Sequence, residues 1–299
     1  MSDDLVCTLL EASRTSSILR VSDGHAVSTD DELAVEEPLE IQLEHGPQHD
    51  RRTKSISVTM RTPGNDAELA AGFLLSEGVI HDFDDLENAE DLLHASGPAA
   101  NELQRRSTIT LKLRPDLTVP DLTLERNFYT TSSCGVCGKA SLMALRVQAP
   151  PRAANNFHIA SETLYSLTHI LEDRQQIFSR TGGLHAAGLV SSSGQLLAVR
   201  EDVGRHNAVD KLFGNALLSD ALPLRDSLLF LSGRASFELL QKSVMAGIPM
   251  VVALGAPSSL AVDVARQFDI TLVGFLKSTR FNIYHGASRI THFEKETVA

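Results

Sequence analysis

Cysteine is scarce in this chain: three in 299 residues, at positions 7, 134 and 137. An odd, sparse count excludes a disulfide framework and fits a reducing compartment. Long apolar runs are also missing. Stretches such as MVVALGA at 250–256 fall far short of the roughly 20 residues that a membrane-spanning helix needs. The opening MSDDLVCTLLEASR begins acidic and has no positively charged segment before an apolar run, so no secretory signal is expected. These absences together predict a soluble, cytoplasmic protein. Positive charge is in deficit too, with 27 Lys+Arg against 38 Asp+Glu and a net charge of −11. That balance argues against broad neutralisation of a nucleic-acid backbone. It leaves room for a local basic pocket, because Arg outnumbers Lys 20 to 7. The bias reflects either codon composition or a need for planar, bidentate donors to phosphate or carboxylate.

Neither repeats nor low-complexity tracts interrupt the chain, and 42% hydrophobic with 22% charged residues is ordinary globular composition. The length allows about two domains. Residues 1–30 are polar and weakly patterned and read as a loose arm. From Leu33 the pattern sharpens into strands at 33–43 and 55–60, a helix opened by Asp66 and closed near Gly78, and a strand at 107–113. This order outlines a small α+β roll, similar to a β-grasp unit, over residues 31–127. Residues 128–157 form a loop and helix linker, the helix over 139–147. The remaining 158–299 alternate short apolar strands with helices. The expected elements are a helix at 161–178, a hairpin at 184–192 and 195–200, and helices at 204–218, 237–247 and 259–268. Strands at 227–232, 250–254 and 270–276 lie between and after them. This alternation predicts a three-layer α/β/α lobe with a mixed sheet, largely parallel apart from the antiparallel hairpin.

Five segments carry candidate chemistry. Cys134-Gly135-Val136-Cys137 places two thiols three positions apart, next to Gly138 and Lys139. Such a pair can form a disulfide, supply half of a zinc site or relay a nucleophilic thiolate. No second CxxC and no HxxxH accompany it, so a structural zinc would have to be shared between chains or completed by distant histidines. The segment Arg200 to Lys211 (REDVGRHNAVDK) runs from a strand end into a helix start, where open α/β sheets bind ligands. Its Glu201, Asp202, Arg205, His206 and Asn207 exceed what a turn requires. Ser232-Gly233-Arg234-Ala235-Ser236 repeats that topology, and a small turn beside Arg234 suits a phosphate, although either serine is equally a helix cap. Thr181-Gly182-Gly183-Leu184-His185 allows a close backbone approach or simply a turn. Finally, Phe275-Leu276-Lys277-Ser278-Thr279-Arg280 follows the last strand of the alternation. Its two cations and aromatic neighbours fit a phosphate and a planar ring, or a basic surface loop.

The strand order over 158–276 resembles the cytidine deaminase fold. Zinc deaminases carry a proton-moving Glu and a P-C-x-x-C thiolate pair at two helix starts. The corresponding places here read His206-Asn207-Ala208 and Ser232 to Ser236, so hydrolytic deamination is not expected. Taken together, SSCGVCGK, TGGLHAAGL, REDVGRHNAVDK, SGRAS, GFLKSTRFNIY and the LAAGFLLSEGVI helix at 69–80 resemble the formate dehydrogenase accessory sulfurtransferase family, FdhD. The resemblance implies a sulfur carrier. Such a protein takes sulfur from a cysteine desulfurase as a persulfide and passes it to a molybdenum or tungsten cofactor carrying two pterin guanine dinucleotides. The cofactor is then inserted into formate dehydrogenase. Carried over by position, the persulfide-bearing residue is Cys134 with Cys137 as its partner, and the cofactor-binding segment is Phe275 to Arg280. Arg205, His206 and Arg234 join that segment as candidate ligands. Family members often carry Arg where this chain has Lys277, which keeps the charge without the fork geometry. No metal of the protein's own is expected, and a homodimer is expected by fold analogy alone. The rival expectation is a cofactor- or nucleotide-binding chaperone holding a shared structural zinc on its CxxC.

Overall fold

The computed structural model describes residues 12–94, 107–117, 138–150, 156–172 and 176–293. The chain begins with a two-stranded antiparallel ribbon, β1 (Ser13–Ser22) and β2 (His25–Ala34). This corrects the loose-arm expectation over 13–30. Both faces of the ribbon are largely exposed, so neither strand carries the alternating apolar pattern that a half-buried strand shows. Its local signal is the Asp23-Gly24 turn, where both residues have positive φ (52° and 80°) as a tight hairpin requires.

Next come β3 (Glu37–His45) and β4 (Arg52–Arg61), helix α1 (Asp66–Ser76), the short α2 (Ala89–His94) and β5 (Thr108–Lys112). The single strand expected at 33–43 is in fact divided at Val35-Glu36, with residues 33–34 belonging to β2. The sheet order is β4-β3-β5, with β3–β4 antiparallel and β3–β5 parallel. Asn65, in the left-handed region, is the N-cap of α1, so Asp66 is its first helical residue. The Asp66 carboxylate instead accepts two hydrogen bonds from the buried Arg61 guanidinium, both at 2.9 Å.

Helix α3 (Gly138–Gln148) leads to β6 (Ile159–Ala160), α4 (Ser161–Glu172) and α5 (Gln176–Thr181). The helix expected over 161–178 is two helices. Glu201 accepts the backbone N–H groups of Ile177 (3.1 Å) and Phe178 (2.9 Å), which opens a fresh helix start at α5. The large sheet then follows, with β7 (His185–Ser191), β8 (Leu196–Asp202), α6 (Arg205–Leu218), β9 (Ser227–Leu231) and α7 (Phe237–Met245). It continues through β10 (Met250–Ala253), α8 (Ser259–Gln267), β11 (Thr271–Gly274) and β12 (Asn282–His285), and β13 (Ile290–Thr291) pairs with β6 outside that sheet.

The six-stranded order is β12-β11-β10-β9-β7-β8. Only β9–β10 and β10–β11 are parallel pairs. The sheet is mixed, as expected, with less parallel pairing than the alternation suggests, because β12 adds a second antiparallel edge to the one made by the hairpin. Both faces are covered, which explains the unbroken apolar strands. Leu229, Leu231, Val251 and Ala253 face one core with α6, α7 and α8, while Leu228, Phe230, Met250 and Val252 face a second core with α4.

The first of these cores runs on without a break into the N-terminal elements. Leu69, Leu74 and Leu75 of α1, Leu39 and Ile41 of β3 and Leu111 of β5 belong to it. The crossing of α1 with α6 joins the two parts at backbone distance. A Cβ added to Gly72 would lie 1.9 Å from the Asp210 carbonyl, and one on Gly214 would lie 1.7 Å from the Glu68 carbonyl. Only glycine fits at both positions.

Candidate functional site

Strand direction gathers the flagged loops on one edge. Strand β7 is antiparallel to both β8 and β9, and β9, β10 and β11 are parallel, so β8 to β11 all point the same way. The loops after these four strands, and the one leading into β7, share the carboxyl edge where open α/β sheets hold ligands. Backbone contacts lace them side by side. Ser232 Oγ accepts from Ala186 N (2.9 Å), Gly233 O accepts from Gly255 N (3.0 Å), and Gly255 O accepts from Phe275 N (3.1 Å). A Cβ on Gly255 would meet Gly233 O at 2.9 Å and Arg234 Cα and Cγ at 3.0 Å. The Arg234 stem thus lies against Gly255 in the loop after β10.

The polar excess of residues 200–211 separates into two sets. One set ties the N-terminal elements to the large sheet. The Asp202–Lys211 pair is sealed, at 0% and 1% side-chain exposure with N···O 2.7 Å. Asp202 also accepts from Thr62 N (3.1 Å), Gly204 N (2.8 Å) and Asn207 Nδ2 (3.0 Å). Lys211 donates to Thr62 O (2.8 Å), and Asn207 donates to Met60 O (2.8 Å). Arg200 bridges to Glu68, and Asp210 accepts from Lys242 and from Ser76. Buried charges arranged this way are paired and hydrogen-bonded, as desolvation demands.

The other set faces the edge. Arg205 and His206 open α6, whose N-cap Gly204 offers no side-chain cap. The Arg205 Nε is buried without a hydrogen-bond partner. His206 Nε2 lies 3.4 Å from the Oγ of Ser236, the N-cap of α7, and 3.9 Å from Glu238. Burial, reinforced by the Lys242 and Arg205 cations, pulls the His206 imidazole down to about 4 against the opposing Glu238 charge. His185, at the start of β7, has its ring 3.4 Å from where a Cβ on Gly233 would sit. Burial and then Arg205 lower it as well, against Asp202. For Glu238, burial pushes the carboxyl upward. The Ser236 hydroxyl, its own backbone N–H and the His206 and Arg205 charges outweigh that push and leave it below its ordinary value. Near neutral pH the edge therefore presents neutral imidazoles, the ionised Glu238, guanidinium charges that outnumber it and helix N-termini, a balance suited to holding an anion.

Of the residues singled out from sequence, Arg205, His206, Arg234 and the 275–280 segment come together on this edge. Arg234, Lys277, Ser278, Thr279 and Arg280 are exposed, and Lys277 N donates to Arg280 O (2.8 Å) to close the loop. Phe275, at φ 54° and 41% exposed, stands out from the loop, whereas Leu276 is fully buried in the second core and anchors it. Phe281 packs on Tyr165 with ring centroids 5.3 Å apart. Cys134 and Cys137, like Cys7, lie outside the described residues. The sequence did not single out His185, Ser236 or Glu238 as ligand-side residues. Their signal was positional: His185 follows the Gly182-Gly183 pair as the first residue of β7, and Ser236, the last residue of SGRAS, is the N-cap of the helix whose first turn holds Glu238.

Comparison with known proteins gives a consistent picture. The FdhD/NarQ family profile matches residues 34–291. The sulfur carrier protein FdhD of Streptomyces coelicolor is 50% identical over 275 residues, covering 91% of this chain and 94% of the relative. That of Saccharolobus solfataricus is 36% identical over 273 residues, with 91% and 96% covered. A crystal structure from Desulfotalea psychrophila, described as a formate dehydrogenase accessory protein, superposes with a TM-score of 0.70 at 23% identity. It covers 94% of this chain and 100% of that one.

Proposed function

The chain belongs to the FdhD/NarQ family, and from that premise we propose that it is a sulfur carrier serving formate dehydrogenase. Cys134 accepts sulfur from a cysteine desulfurase, with Cys137 as its partner thiol. The Cys134 thiolate attacks the outer sulfur of the donor's persulfide. One S–S bond forms and the donor's S–S bond breaks. The donor leaves as a thiolate, and the persulfide proton stays with the transferred sulfur. The acceptor is a molybdenum or tungsten cofactor with two pterin guanine dinucleotides, bound as substrate and then handed to formate dehydrogenase. A cytoplasmic homodimer is the form in which we expect it to work.

The observation that carries this reading is a row of cations on the carboxyl edge of the sheet in a chain of net charge −11. Arg205, Arg234, Lys277 and Arg280 offer donors to pyrophosphate oxygens, and the N-termini of α6 and α7 add backbone N–H groups. Phe275 offers a ring face to a guanine or pterin. His206 and His185, held neutral, can donate or accept a hydrogen bond without adding charge. Such an edge binds a large anionic cofactor, and the Cys134–Cys137 thiol pair gives the bound cofactor a source of sulfur.

The test is direct. Purified protein, a cysteine desulfurase and cysteine are mixed, and intact mass is measured. Wild type gains one sulfur atom and Cys134→Ala gains none. Wild-type protein that stays unmodified while the desulfurase turns over would remove the sulfur-carrier reading.

A further inference from the structure

Helix α3 begins at Gly138, the residue after Cys137, and its two faces divide unusually. Inward, Leu145 is buried and Leu142 packs on the main core. Outward, Met143 is 69% exposed and Val147 is 87% exposed, with the exposed Arg146 beside them. Positions 143, 146 and 147 share one helical face. The solvent side of this helix thus presents an apolar pair flanked by a cation, where an isolated surface helix would carry polar side chains.

The charge along the flanking sequence is equally uneven. Residues 126–161 contain Arg126, Lys139, Arg146 and Arg152 and not one Asp or Glu, in a chain whose acids outnumber its bases by 11. An apolar centre with Met and Arg, in a stretch of sequence that is basic throughout, matches the composition enriched at protein interfaces. Its electrostatic complement is an acidic patch. By helical rise, Met143 lies about 8 Å and Val147 about 14 Å along the axis from the helix start. In sequence, this helix follows directly on the cysteine pair to which a sulfur donor must deliver.

The position of α3 favours the sulfur donor over the cofactor's recipient. A Cβ on Gly78, just past the C-terminal end of α1, would lie 3.5 Å from Met245 Cε and 3.8 Å from Gln148 Cβ. Met245 ends α7, whose opposite end, Ser236, is on the ligand edge. The C-terminal end of α3 therefore sits away from that edge. A donor seated there leaves the row of Arg205, Arg234 and Arg280 open to the cofactor.

We infer that the outward face of α3, formed by Met143, Arg146 and Val147, is the docking surface for the persulfide donor, a protein with a complementary acidic patch around an apolar centre. The inference rests on the sulfur-carrier reading above. It is tested on the full chain with Met143→Glu/Val147→Glu and with Arg146→Glu, substitutions at exposed sites that keep helix propensity. Sulfur loading is timed by intact mass with two donors, a cysteine desulfurase with cysteine and inorganic polysulfide. The expected result is roughly tenfold slower loading from the enzyme, unchanged loading from polysulfide, and near wild-type rates for Arg146→Lys. Equal enzymatic rates for wild type and variants would overturn the docking surface. So would a parallel loss with both donors, which would make α3 a determinant of thiol reactivity instead. A wild type that loads from neither donor would overturn the carrier reading itself, and the docking inference with it.

Discussion

Replacing Gly214 by alanine tests how the N-terminal elements are held to the large sheet. In a solvated helix the change would stabilise by up to about 1 kcal/mol, because alanine is the better helix former. At the α1–α6 crossing the new Cβ would start 1.7 Å from the Glu68 carbonyl oxygen. To reach even 3.0 Å, the two helices must part by about 1.3 Å. A gap of that order forfeits a quarter to a half of each dispersion contact along the crossing. Overpacking of this kind costs roughly 1–3 kcal/mol. The parting would also stretch the Asp202–Lys211–Thr62 contacts at the start of α6. We expect a net loss of about 2 kcal/mol, or a fall of roughly 5 °C in Tm. Gly72→Ala should behave alike, and the double variant should lose clearly less than the sum, since one displacement relieves both clashes. Gly183→Ala is the control, its nearest neighbour being an ordinary 3.5 Å away. A Gly214→Ala protein that melts at or above wild type would refute the close crossing.

Three further outcomes are expected. Lys211→Met leaves Asp202 buried without its cation and should destabilise by about 3 kcal/mol or more, with the denaturation midpoint partly recovered when Asp202→Asn is added. The depressed His206 pKa makes stability fall with pH. Above 6.5 the ring is neutral in folded and unfolded chains alike. Between 6.5 and about 4 only the unfolded chain takes up the proton, and the folded state loses up to about 3 kcal/mol relative to His206→Gln. Equal pH slopes for the two proteins in urea titrations would contradict that environment. Arg280→Ala should weaken binding of a guanine nucleotide roughly tenfold by calorimetry, whereas unchanged affinity would remove the 275–280 loop from the site.

How far the sequence reached depended on whether a residue's neighbours were local. The strand–helix alternation from Leu184 onward was legible because short apolar runs covered on both faces have a strong signature, and the loops it generated fell on one edge as strand direction requires. The β1–β2 ribbon was not legible, since residues exposed on both faces carry no period. The REDVGRHNAVDK segment was half understood. Arg205 and His206 do face the edge, but Asp202, Asn207, Asp210 and Lys211 turn inward to Thr62, Met60, Ser76 and Lys242, partners distant in sequence. Composition cannot distinguish a charge aimed at a ligand from one buried against another lobe. Leu276 illustrates the same limit within a single loop, because it anchors the segment whose neighbours reach solvent. Glu201 shows it again, its carboxylate closing the start of α5 instead of joining the edge.

The most direct measurement follows one sulfur atom through the protein. Wild-type protein is loaded on Cys134 with radioactive sulfur from labelled cysteine and a desulfurase and freed of both. It is then given the bis-pterin guanine dinucleotide cofactor and formate dehydrogenase lacking it. A sulfur carrier yields active formate dehydrogenase with the label in its cofactor, and Cys134→Ala yields neither. Label that stays on the protein while the enzyme gains full activity, or activity restored equally by Cys134→Ala, would contradict sulfur carriage by this chain.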